Sequence, residues 1–273
     1  MSNENMLSVQ GQGPTDLAAF NYGEMAQAGY ENMTNQDSLI PFIAVLQALS
    51  PQVTQGTSEY IDGARTGQLF NTVTKEIIDG QKGILFVPCT TQHVFTEWKP
   101  RERGGGFVGQ HDPNSALVRD AVAASKKFGK YTHQTDEGAN DLVETFYMFG
   151  MQMDENLQIV SPVVIAITGT KIKPYKQIIT TLRMCKVRAP LFANVLRITT
   201  AIDKNPKGTF GNFVFKPFKG DVVASLLPPT VDGQPNPLLV AGKKLSDEIN
   251  AGRMHADTSG QTPRDGAESD VPF

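Results

Sequence analysis

Eleven basic residues and one acidic residue fall between positions 160 and 219, a segment carrying +10 in a chain whose formal net charge is −3. The other segments are acidic or nearly neutral: −7 over 1–62, +1 over 63–84, −3 over 85–159 and −4 over 220–273. Segregation on this scale creates a local potential that attracts polyanions even on an acidic protein. A single-strand binder needs flat rings as well as cations, because stacking supplies ~1–3 kcal/mol per base. The block holds Lys171, Lys173, Lys176, Arg183, Lys186, Arg197, Lys204 and Lys207, and beside them Phe210, Phe213 and Phe215. Phe213 and Phe215 share one face of an alternating strand, which suits a stacking surface or a core equally. Phe210, between Lys207 and two glycines, is harder to bury.

A second surface of the same chemistry lies around three consecutive glycines. Trp98, the sole tryptophan, is followed by Lys99, Arg101 and Arg103, with Phe107 beyond Gly104-Gly105-Gly106. This composition suits base stacking and phosphate contact from a mobile loop, the alternative being a solvated loop over a buried Trp. Catalytic chemistry finds less support. Cys89 and His93 are four apart and could draw on His111, His133 and Cys185, but zinc sites show paired short spacings at both ends. No Gly-Lys-Ser/Thr follows either glycine cluster, so a Walker loop is absent. No set of carboxylates is marked out to converge on a metal. We therefore assign no catalytic residue, metal or cofactor. Zinc-finger spacing, a basic region feeding leucine heptads and a clear helix-turn-helix pair are missing too, which favours backbone contact over base reading.

The elements that must position these residues follow from periodicity. Steps of 100° along a helix over 173–188 gather Ile178, Leu182 and Cys185 on one side and set Lys173, Lys176 and Arg183 opposite. Strand-like runs at 196–202 and 211–218 flank a loop with hairpin composition. Earlier strands are expected within 39–49, 68–73, 84–87, 93–98, 142–153 and 159–168, with a helix over 114–127. Prolines from 228 to 237 suggest an extended segment, followed by a helix-like piece at 243–250. The chain thus divides into a flexible arm (1–36), a binding core (37–240) and an acidic tail (241–273). The expected fold is α+β, predominantly an antiparallel sheet, with a partly open OB-like barrel as one form of it. No run approaches the ~18 apolar residues of a membrane span. The polar start lacks the signature of a secretory signal, and two cysteines 96 positions apart fit a reducing compartment, so a cytoplasmic protein is expected.

The last residues, Asp270-Val271-Pro272-Phe273, end a diluted acidic run in an apolar ring and a carboxylate, an end that a partner can capture. They resemble the acidic tip of bacterial single-stranded DNA-binding proteins, with Val271 in place of isoleucine. The body differs from those proteins. Its Leu-Ile-Pro-Phe-Ile-Ala-Val-Leu-Gln-Ala-Leu-Ser-Pro start, the Trp-Lys-Pro-Arg loop and Asn-Pro-Lys-Gly-Thr-Phe-Gly-Asn-Phe are similar to a group of phage-encoded single-stranded DNA-binding proteins, the RNA-polymerase cofactors of lytic podoviruses. That resemblance implies binding to melted DNA and contact with a phage RNA polymerase or replication protein. The competing classes are a metal-dependent nuclease and a virion or scaffold protein.

Overall fold

The computed structural model describes residues 39–125, 129–205 and 208–254, together with Gly29, Glu31, Asn32 and Ala256. Apart from those three isolated residues the expected arm lies outside them, as does the tail tip.

Two long strands organise the core. β1 (Ile43–Val45), β2 (Leu69–Asn71) and β3 (Ile77–Ile78) form a small antiparallel sheet, and β4 (Ile84–Trp98) follows. Next come β5 (Phe107–His111), α1 (Ala116–Ala124), β6 (Tyr131–Thr135), β7 (Gly138–Met153) and β8 (Ile159–Thr168). The chain continues through α2 (Ile172–Arg183), β9 (Leu196–Asn205), β10 (Gly208–Pro217) and α3 (Pro237–Asn250). The main sheet runs β10-β9-β4-β7-β6, with β5 added to β4 and β8 to β7, and all its pairings are antiparallel. β9 pairs with the start of β4 and β5 with its end, while β6 and β8 divide β7 in the same way. The β4–β7 pair therefore carries two lobes. The α+β, chiefly antiparallel architecture agrees with the sequence reading, and no ladder among the described residues closes the sheet into a barrel.

Both faces of the first lobe are covered, which is why its strands are apolar on successive residues. Ile84, Phe86, Met148, Ile165, Ile198 and Phe213 point into one layer, closed by Ile43 and Val45 of β1 and by Tyr175, Ile178 and Leu182 of α2. Leu85, Val87, Tyr147, Phe149 and Met151 point into the other, closed by Leu245 and Ile249 of α3 and by Met254. α1 seals the second lobe through Val118 and Ala121 on Phe95, Tyr131 and Leu142. No helix among the described residues is long and apolar enough to cross a membrane.

The structure corrects several boundaries. The runs 84–87 and 93–98 are a single strand, because a register shift between Pro88 and Thr90 absorbs the break in alternation. The run 39–49 yields only three strand residues, yet the segment ties two strand edges. The Pro41 carbonyl accepts from Val164 of β8 at 2.9 Å, and the Gln47 side chain bonds both backbone groups of Gly211 on β10. α2 stops at Arg183, and Pro190 ahead disfavours further helix at the residue before it. Lys186 and Cys185 consequently lie beyond the helix, and Tyr175 completes the buried stripe instead. α3 starts earlier than expected, at Pro237 behind an Asn236 cap whose side chain accepts from Leu238 at 2.9 Å. Burial of Leu245 and Ile249 carries the core past residue 240, where the sequence suggested it would end.

Candidate nucleic-acid interface

α2 and the β9–β10 hairpin form the surface on which the basic block is displayed. The buried stripe of α2 fixes the opposite side outward, so Lys173, Lys176 and Arg183 are exposed. A groove of about 400 Å³ separates α2 from β10, lined by Gln177 and Thr181 on the helix and by Asp203, Asn212, Phe215 and Pro217 on the hairpin. Lys186 and Arg188 follow the helix, and Lys204, Lys216 and Lys219 belong to the hairpin and its exit; all are exposed. Among the described residues, Lys173, Arg183, Lys186, Lys204, Lys216 and Lys219 enter no ion pair. Free cations of this kind can exchange their counterions for phosphates.

Other members of the expected set are committed elsewhere. Arg197 makes a bidentate pair with Glu155, at 2.7 and 2.8 Å, and its guanidinium lies 5.5 Å from the Phe218 ring centre. Lys171 is buried. Phe213 and Phe215 are 2% and 9% exposed and belong to the core under α2 and β1, which corrects them as stacking platforms: they border the groove, but too little of either ring is open to take a base. Phe210 is half-buried on the hairpin. Lys207 and the tail residues Asp270, Val271, Pro272 and Phe273 lie outside the described residues.

The glycine-rich loop also departs from expectation. Trp98 is 1% exposed, its indole N–H donating to Thr96 Oγ1 at 3.0 Å and its ring meeting Phe107 edge-on at 5.3 Å. It supplies no open stacking face. Arg103 donates to the carbonyls of Glu137 and Ala139 and, at 2.6 Å, to Asn140 Oδ1, while Lys99 pairs with Glu137 at 2.8 Å. These contacts pin the loop to the β6–β7 turn. Gly104, Gly105 and Gly106, all at positive φ, serve the tight turn that this docking requires. Of the loop's cations, Arg101 is the one left exposed.

The chain matches, over residues 9–255, a family described as Pam3 phage gp34-like protein. It belongs to this phage protein family. Comparison with curated proteins gives no match, and comparison with solved structures gives none either. The matched span takes in α2 and the hairpin and stops short of the tail tip.

Two clusters in this gp34-like protein escaped the sequence reading. The first centres on Glu97, 4% exposed in its side chain, which meets His111 Nε2 at 2.6 Å, His133 Nδ1 at 2.9 Å and Asn140 Nδ2 at 2.6 Å. Burial works to raise the Glu97 pKa, and the hydrogen bonds from Asn140, His133 and His111 outweigh it, so the carboxyl titrates below its ordinary range. The second joins β4, β7 and α2. His93 stacks on Phe146 with ring centres 4.2 Å apart and planes 8° from parallel, and Lys176 Nζ lies 5.1 Å from the Phe146 centre. No local signal in the sequence joins residues 93, 146 and 176, which lie on three separate elements. His93, His111 and His133 thus each face a carboxylate, not the cysteines considered with them as ligands. Cys89 is buried and its thiol is pushed up to about 12 by that burial, which makes it unreactive at neutral pH.

Proposed function

We propose that this gp34-like protein binds single-stranded DNA largely without sequence specificity, along the exposed cations of α2 and the β9–β10 hairpin, and has no catalytic activity of its own. The observation that carries the reading is the set of exposed cations on α2 and on the β9–β10 hairpin, Lys173, Arg183, Lys204 and Lys216, that enter no ion pair among the described residues. A groove walled by a helix and a strand edge suits a flexible single strand better than a rigid duplex. Phosphate contact makes affinity fall with salt, by ~0.7 in the log–log slope for each phosphate neutralised on a single strand. The acidic tail is the part suited to recruit a partner, a phage RNA polymerase or replication protein, and to compete with DNA for the same cations.

Gel-shift titrations with single- and double-stranded DNA and RNA test this. Single-stranded DNA is expected to bind tightest, and the double reversal Arg183→Glu with Lys204→Glu to weaken it at least ~10-fold and flatten the salt slope. Removal of residues 257–273 should tighten binding. Affinity that is indifferent to salt, or unchanged by the reversals, overturns the reading. Labelled DNA incubated with magnesium or manganese should stay intact.

A further inference from the structure

We infer that the His93–Phe146 stack is a nucleobase-stacking subsite, the aromatic partner of the α2 cations. The inference rests on the single-strand reading above and adds a site to it. His93 and Phe146 are directly opposite one another on β4 and β7, so the ladder itself holds the two rings in register. Phe146 packs at its inner side against the core and against Tyr175 of α2, 5.1 Å away between ring centres. The imidazole lies over it and is 38% exposed in its side chain, next to exposed Thr91 on the same strand face.

Lys176 links this platform to the cationic track. It is one of the three exposed α2 cations, and its ammonium sits by the Phe146 ring and 3.8 Å from Glu144. Glu144 also lies 3.2 Å from His93 Nε2 and is 22% exposed, and the Lys176 ammonium beside it offsets its charge, so it does not repel a strand unopposed. A backbone following Lys173, Lys176 and Arg183 passes beside the platform with its bases toward the sheet. A flat ring on a rigid sheet, with a phosphate-binding cation adjacent, is the pairing that sequence-tolerant single-strand recognition uses. Sequence pattern places this role on Trp98, Phe107, Phe210, Phe213 and Phe215, of which Trp98, Phe213 and Phe215 are buried.

The test uses the full chain and a thymine single strand carrying 2-aminopurine, whose fluorescence reports stacking. His93→Ala is expected to weaken binding roughly 5- to 100-fold, the loss of one stacked base, with the salt slope unchanged. His93→Phe, which keeps a ring and drops the Glu144 contact, should restore it. On a strand with abasic sites throughout, the wild type and H93A should bind alike. Equal affinity of wild type and H93A for the ordinary strand overturns the inference, as does a difference that persists on the abasic strand. If H93A is silent while the Arg183 and Lys204 reversal weakens binding, the subsite fails and the proposed function stands. If the wild type binds no single strand, both fail.

Discussion

Glu97 gathers three side-chain contacts inside the second lobe, and its environment carries a pH dependence with a definite sign. Hydrogen bonds from Asn140, His133 and His111 overcome burial and lower its pKa in the fold. Between the folded value and the ordinary carboxylate range the unfolded chain binds the extra proton, so stability rises with pH across that window. This contribution is fully present above the unfolded value and is lost as pH falls through the folded one. Thermal unfolding followed from pH 6 down to pH 2 should show a steeper acid limb for the wild type than for Glu97→Gln. At neutral pH the variant should be less stable by ~1–3 kcal/mol, because a carboxamide cannot accept from all three donors. The same network explains why the basic loop is docked: Asn140 receives Arg103 on one side and gives to Glu97 on the other.

At the scale of elements, the exposed edge of β10 is shielded by side chains. Gln47 accepts from the Gly211 N–H at 2.8 Å and donates to its carbonyl at 2.9 Å, as a neighbouring strand would, and the Phe213 N–H finds Asn212 Oδ1 at 2.9 Å. Edges left unpaired template aggregation, so this arrangement both satisfies the backbone and blocks strand addition. Gly211 is required because an added Cβ would stand 2.5 Å from Val45 Cγ1 and 3.3 Å from Gly67 Cα. Urea unfolding should register Gly211→Ala as ~1–3 kcal/mol less stable through overpacking. Gln47→Ala should cost a similar ~1–3 kcal/mol by leaving two backbone groups without partners. If Gln47→Ala were neutral, the edge role assigned to its carboxamide would be wrong.

For the whole molecule, the placement of α3 decides where the folded unit ends. Leu245, Ile249 and Met254 are buried against the same layer as Leu85, Val87 and Tyr147. Truncation after residue 240 is therefore expected to abolish cooperative thermal unfolding, whereas truncation after 256 should leave it nearly intact, as circular dichroism would record. Local pattern was enough for the charge segregation, the hairpin of β9 and β10, the outward face of α2 and the α+β class. Those features depend on neighbours a few residues apart, through alternation, helical steps and turn composition. Which rings are open, and which cations are free, was not legible in the same way. Phe213 and Phe215 alternate as an exposed platform would, and Trp98 precedes a basic glycine-rich loop, yet all three are buried by what packs over them in the fold. Arg103 is spent on a turn 34 residues away, and Gln47 on a glycine 164 residues away. Periodicity sorts side chains into faces, while only the packing of distant elements settles which face meets water, and so which residues remain available to a ligand.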